Sequence, residues 1–172
     1  MQLFSTIKDE GVRFGLLAGL FTVAYFGAFY LIDKEWMLSP YVYYGSLAIY
    51  FWAMYQSLKQ ASVRKQELLS WREALRNGFV VFLIANAFFL LFFVVINKMD
   101  PSLQEIQRVY LKEWYPRIFP KDQLALRLRE LEKADLSMSV SKAVFSYARA
   151  AIGGFIVSAL LAVIHRRDYI KF

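Results

Sequence analysis

The chain is predicted to be all-α, a four-helix transmembrane bundle with an amphipathic helical loop between its third and fourth spans. Two observations carry that prediction. Of its 172 residues, 58% are hydrophobic and 18% aromatic, heavy for a soluble domain of this size. In addition, all 35 Lys, Arg, Asp and Glu residues avoid four runs, 14–32, 36–58, 77–97 and 150–164, which hold 19, 23, 21 and 15 residues. A bilayer core needs about 20 apolar residues per helical span, because charges and unpaired backbone groups are costly in hydrocarbon. The pattern excludes a soluble enzyme domain. Residues 1–172 read as one integral membrane domain with spans at about 12–32, 40–58, 77–97 and 143–164 and an extracytoplasmic loop over 98–142.

The first run follows Lys8 and Arg13 and lacks a small-residue cleavage pattern, so it reads as an uncleaved span and not as a signal peptide. A short turn through Asp33, Lys34, Glu35, Ser39 and Pro40 leads to the second span, which opens with Tyr41, Tyr43 and Tyr44. Ser70 followed by Glu73 is a capping-box signature and starts the third helix near residue 70. Its Trp71 suits the headgroup level. In the loop, Asp100 and Pro101 predict a helix start, and Leu103, Ile106, Val109, Tyr110 and Trp114 follow at helical spacing. Pro116 and Pro120 should break that helix, and a second should run from about 121 to 136 with Leu124, Leu128 and Leu131 on one stripe. The fourth run, at 15 residues, reaches only about 22 Å. Extending it back to residue 143 completes a span but draws Arg149 inside.

With both termini cytoplasmic, the inner segments carry 10 basic and 5 acidic residues and the outer segments 10 and 9. The inner basic residues sit close to span ends, whereas the outer ones are spread through a long loop, where they count for less. The net charge of +7 thus records orientation in a membrane, and no nucleic acid is expected as a partner.

Small residues recur at every fourth position in the first and last spans. Gly11, Gly15, Gly19 and Gly27 share one stripe, interrupted by Val23; Ser146, Ala150, Gly154, Ser158 and Ala162 share another. Such faces let helix backbones approach closely. They predict packing of span one against span four, or an interface with a second copy or another membrane protein. Asn86, near the middle of span three, is expected to bond between helices or to line a polar path. Arg149 is expected either to snorkel to the headgroups or to contact an anionic lipid or partner. No carboxylate lies in any charge-free run, which argues against proton-coupled transport. His165, the single histidine, reads as an interfacial anchor beside Arg166 and Arg167. With no cysteine, phosphate-binding loop or nucleophile paired with a base, no catalytic residue, metal site or cofactor is expected.

The segment Leu69-Ser70-Trp71-Arg72-Glu73-Ala74-Leu75-Arg76-Asn77-Gly78-Phe79 resembles the interfacial start of the third span in an uncharacterised family of small four-span proteins common in Bacteroidota, although Trp71 stands where phenylalanine is expected. Asp100-Pro101-Ser102 opening a polar helical loop, and a glycine-rich last span ending in basic residues, resemble the same family. The resemblance implies a bacterial inner-membrane location and a four-helix topology, and carries no activity with it. It also implies an accessory role beside glycosyltransferases of lipid-linked sugars. The function expected from the residues is non-enzymatic: an accessory or scaffold protein that holds itself or a membrane partner through its small-residue faces and its loop. The alternative is a protein that binds or transports a lipid or amphiphile, with Arg149 as the contact for an anionic headgroup. A groove opening beside Arg149 and Asn86 would favour the second, and an exposed small-residue face the first.

Overall fold

The computed structural model describes residues 9–170, with side chains as far as His165. Lys8, Lys171 and the side chains of Arg166 and Arg167, counted above for orientation, lie outside the described residues. Asp9 caps the first helix by accepting the Val12 amide, and α1 runs over Glu10–Ile32. Asp33 ends α1 and at once caps a five-residue helix, α2 (Lys34–Leu38), through bonds from the Glu35 and Trp36 amides. Ser39 caps α3 (Pro40–Lys65), whose first residue is the proline that tolerates a helix start. α3 runs seven residues past the predicted end at 58 and stops at Gln66, which is in the left-handed region with φ of 57°. The capping box predicted for Ser70 and Glu73 is present at the start of α4 (Trp71–Met99).

In the loop, α5 covers Ser102–Ile118 and α6 covers Lys121–Lys133. The N-cap of α5 is Pro101, without a side-chain cap bond, so the helix starts one residue later than Asp100 and Pro101 predicted; the Asp100 carboxylate accepts the Ser102 amide at 3.1 Å just ahead of it. Pro116 does not break α5 as predicted. It sits in the last turn at an exposed position, where the carbonyl whose partner proline removes is on a solvent-facing side of the helix. Pro120 ends the segment, and α6 stops three residues short of the predicted 136. The last helix, α7, covers Val140–Ile170. The described residues therefore form seven helices and no strand.

Three helices are long and apolar enough to cross a membrane: α1, α4 and α7 over Val140–His165. At 26 residues α3 matches them in length, but five tyrosines (41, 43, 44, 50 and 55) and Gln56 dilute its apolar character. Aromatic rings with a polar tip are less hydrophobic than the aliphatic side chains that fill α4.

α4 is the shared partner of the other long helices. α1, α3 and α7 all pack against it, and α1 also packs against α3. Phe14, Ala18, Tyr50, Met54, Val81 and Ala85 make the central core, joined from α7 by Val157 and Leu161. Towards the termini, Leu58, Leu69, Ala74 and Ala162 close the bundle. At the loop end the core divides. Val42 of α3 packs in a cluster with Phe26, Met37, Phe93 and Leu103, whereas Ala143 of α7 packs in a separate cluster with Leu90 and Val94. α3 and α7 therefore meet near the termini and separate towards the loop.

α5 and α6 form a helical hairpin. Arg108 of α5 caps the end of α6, its guanidinium donating to the backbone carbonyls of Leu131, Glu132 (2.8 Å) and Ala134 (3.1 Å). Lys112 pairs with Glu132 at 3.1 Å on the same side. Leu103 and Ile106 dock the base of the hairpin on the bundle, beside Met37 and Phe26.

Candidate functional site

The small-residue stripes are occupied within the chain, and they do not meet each other as predicted. A Cβ placed at Gly11, Gly15 or Gly19 would approach, respectively, the Asn77 carbonyl at 3.1 Å, Ile84 Cβ at 2.9 Å and Phe88 Cγ at 2.7 Å, all on α4. At Gly154 it would come within 2.1 Å of Phe82 Cδ1, again on α4. Ser158 is buried with its hydroxyl donating to the Gly154 carbonyl at 2.6 Å, and Ala162 is buried near Leu58 and Ala74. α1 and α7 thus each use their glycines to approach α4, which lies between them with large side chains that need bare backbone opposite. Gly27 has no neighbour within 4 Å of the corresponding position, so it does not contribute to this packing.

The upper part of the second stripe behaves differently. Ser146 and Ala150 are only partly buried, and both line a cavity of about 580 Å³ at the place where α3 and α7 separate. Its floor is α4, which presents Asn86, Phe89, Leu90 and Phe93. Tyr43 and Tyr44 face in from α3, and Gln107 of α5 with Met138 closes the loop end. Arg149 stands on the α7 wall, exposed, with no hydrogen bond or ion pair among the described residues. A second, smaller pocket of about 460 Å³ shares Ser146, Met138 and Arg149 and reaches Lys142 and Phe145, so Arg149 stands between two openings.

The structure therefore brings together the two polar residues singled out in the spans. Asn86 is 7% exposed, and its amide nitrogen has no hydrogen-bond partner. The expected interhelical hydrogen bond from that nitrogen is not made among the described residues. A half-turn of the amide exchanges donor for acceptor, so this side chain can offer either to an occupant of the cavity. Among the described residues no carboxylate lines the cavity, which leaves Arg149 as its charge. A lone guanidinium in a mostly apolar recess attracts an anion, and its planar fork pairs in bidentate fashion with phosphate or carboxylate oxygens. Lys142 is engaged elsewhere, donating to the carbonyls of Asp135 at 2.6 Å and Ser137 at 3.0 Å.

Sequence reasoning missed two features. The aromatic and amide residues that complete the cavity, Tyr43, Tyr44, Phe89 and Gln107, come from three helices, and nothing in their spacing shows that they converge. At the other end of the bundle, His165 is not an interfacial anchor at the surface. It is 3% exposed and lies 2.8 Å from the Ser62 hydroxyl. Nearby Glu10 is 5% exposed and pairs with Arg64 at 2.5 Å and Arg13 at 3.4 Å, while Arg13 also donates to Gln60 at 2.9 Å. These bonds lock the ends of α1, α3 and α7 together: Glu10 and Arg13 of α1 reach Arg64 and Gln60 of α3, and Ser62 of α3 meets His165 of α7, contacts that spacing along one helix does not show.

No curated protein and no solved structure matches the chain. A family model described as a protein of unknown function, DUF4199, matches residues 13–167, and the chain belongs to that family.

Proposed function

We propose that this protein is a non-enzymatic, four-span protein of the bacterial inner membrane that binds an anionic amphiphile, with Arg149 as the headgroup contact. The single observation that supports this reading most is the cavity that joins Arg149 to the unpartnered Asn86 amide among aromatic side chains. A charge within a span is costly, at least about 2.5 kcal/mol at mid-membrane and less towards the ends. An anionic headgroup on Arg149 offsets that cost. The absence of a carboxylate from the cavity favours an anion over a cation or zwitterion. In this reading α3 is the second span, its Tyr41, Tyr43 and Tyr44 sit at the membrane boundary, and the termini are cytoplasmic.

A second reading, the accessory or scaffold role, draws support from the hairpin, where Val109, Ile118 and Leu126 are exposed. The small-residue faces no longer favour it, since most of them are covered by α4.

The test compares thermal unfolding of the full chain in nanodiscs of phosphatidylcholine alone and with phosphatidylglycerol. A ligand at 100 times its Kd stabilises by about 2.7 kcal/mol, and for a chain of this size each kcal/mol moves Tm by roughly 2 to 4 °C. Phosphatidylglycerol is therefore expected to raise Tm by roughly 5 to 10 °C. Arg149→Gln is expected to remove the increment. Equal stability in the two lipids would refute the reading.

A further inference from the structure

We infer that the gap between α3 and α7 is a lateral gateway that admits a monoanionic amphiphile from the leaflet on the hairpin side, headgroup towards Arg149 and chain along the aromatic floor of α4. This rests on the amphiphile-binding reading and adds the route, the leaflet and the headgroup class. Three observations carry it. First, α3 and α7 share a core from Tyr50 and Met54 to Ser62 and His165 but belong to different clusters at Val42 and Ala143, so the opening widens in one direction only. The closed end faces the termini.

Second, depth fits a headgroup drawn partly into the bilayer. Lys142 marks the outer end of α7, and Arg149 lies seven residues further in, about 10 Å at 1.5 Å per residue. Asn86 is twelve residues from Lys98, or about 18 Å, close to the middle of its span. Polar contacts thus step inward from the hairpin side, with Gln107 above, Arg149 and Ser146 below it, and Asn86 deepest. On the α3 side the cavity is lined by Tyr44, 66% exposed, a side chain suited to the boundary.

Third, the charge count sets the headgroup. One guanidinium with neutral hydrogen-bonding groups matches a single negative charge, a phosphodiester or a carboxylate, and not a dianionic phosphomonoester, which calls for a second cation. The nearest candidate, Lys142, is held by Asp135 and Ser137.

The experiment uses proteoliposomes of the full chain in phosphatidylcholine, doped with a phosphatidylglycerol whose acyl chain carries a diazirine, or with the phosphatidylcholine analogue. Crosslinked peptides are located by mass spectrometry. The anionic probe is expected to label residues 41–46, 86–93 and 143–150 at least tenfold more than the zwitterionic one. Arg149→Gln should abolish that excess, as expected for loss of a charge-assisted contact, while labelling around α1 stays unchanged. Tyr44→Trp, which narrows the mouth without touching Arg149, should reduce it too. Anionic labelling that depends on Arg149 but falls on residues 53–62 and 157–165 would overturn the gateway and leave amphiphile binding standing. Equal labelling by both probes, insensitive to Arg149→Gln, would sink both.

Discussion

Adding one methyl group at Gly154 should separate the consequences of helix propensity from those of packing, because Gly153 provides the control on the same turn. A Cβ at Gly154 would lie 2.1 Å from Phe82 Cδ1 and 2.5 Å from its Cγ, whereas at Gly153 nothing lies within 4 Å. Ordinary contact begins near 3.4 Å, so α7 and the Phe82 ring must part by about 1.3 Å. The ring has little room to swing, since it packs against Tyr50 at a centroid distance of 5.6 Å. Overpacking of this kind costs about 1 to 3 kcal/mol. Exchanging Gly for Ala in a helix contributes about 0.8 to 1 kcal/mol in the opposite sense at both positions. The difference between the two variants therefore isolates the clash, and is expected to be about 2 kcal/mol. At roughly 2 to 4 °C per kcal/mol for a chain of this size, Gly154→Ala should melt roughly 4 to 8 °C below Gly153→Ala. Thermal unfolding in phosphatidylcholine nanodiscs, followed by near-ultraviolet circular dichroism, measures it. Adding Phe82→Leu to Gly154→Ala should recover part of the loss, as neighbouring sites couple. Equal Tm values for the two alanine variants would refute the packing of α7 on α4 described above.

Topology is accessible because the chain has no cysteine. If α3 spans, Glu35→Cys and Leu126→Cys should react with an impermeant maleimide on intact spheroplasts and Glu67→Cys only after permeabilisation; joint labelling of 35 and 67 would mean that α3 does not cross. Arg108→Ala removes the cap that three carbonyls of α6 share. It should cost about 1.5 to 3 kcal/mol locally, seen as faster hydrogen exchange over residues 121–133 with unchanged protection in α4. The Lys34 ammonium, 2.5 Å from Asp100, holds that carboxyl well below the usual carboxylate range, with help from the Ser102 hydroxyl. A depressed folded-state pKa means that this contribution is complete above about pH 4 and disappears as pH falls through the lower folded value. Melting of the wild type should therefore decline below about pH 4 more steeply than that of Asp100→Asn, and parallel curves would count against the pairing.

The elements were legible in the sequence because their signals are local. Charge-free runs mark α1, α4 and α7, and Ser70 with Glu73 marks a helix start whose two partners lie three residues apart. Ser39 and Pro40 read only as part of a turn, and that turn instead holds α2 and the cap of α3. Pro116 misled because proline breaks a helix only where its lost hydrogen bond and ring matter, and in an exposed last turn neither does. The stripes of glycine were visible, but their partner was not, since a small residue advertises a close neighbour without naming it.

By itself the sequence determined an all-α membrane protein, its helical hairpin, and the short list of polar side chains that the spans contain. These follow from composition and from spacings within a helix, which the backbone imposes on any chain. Only the tertiary structure decided that α4 is the common partner of the long helices and that His165 is buried on Ser62. It also decided that Arg149 and Asn86 face one cavity. Residues 63 positions apart come together because α3 and α7 splay where large side chains of α4 fill the floor, and no periodicity along one chain encodes the angle between two helices.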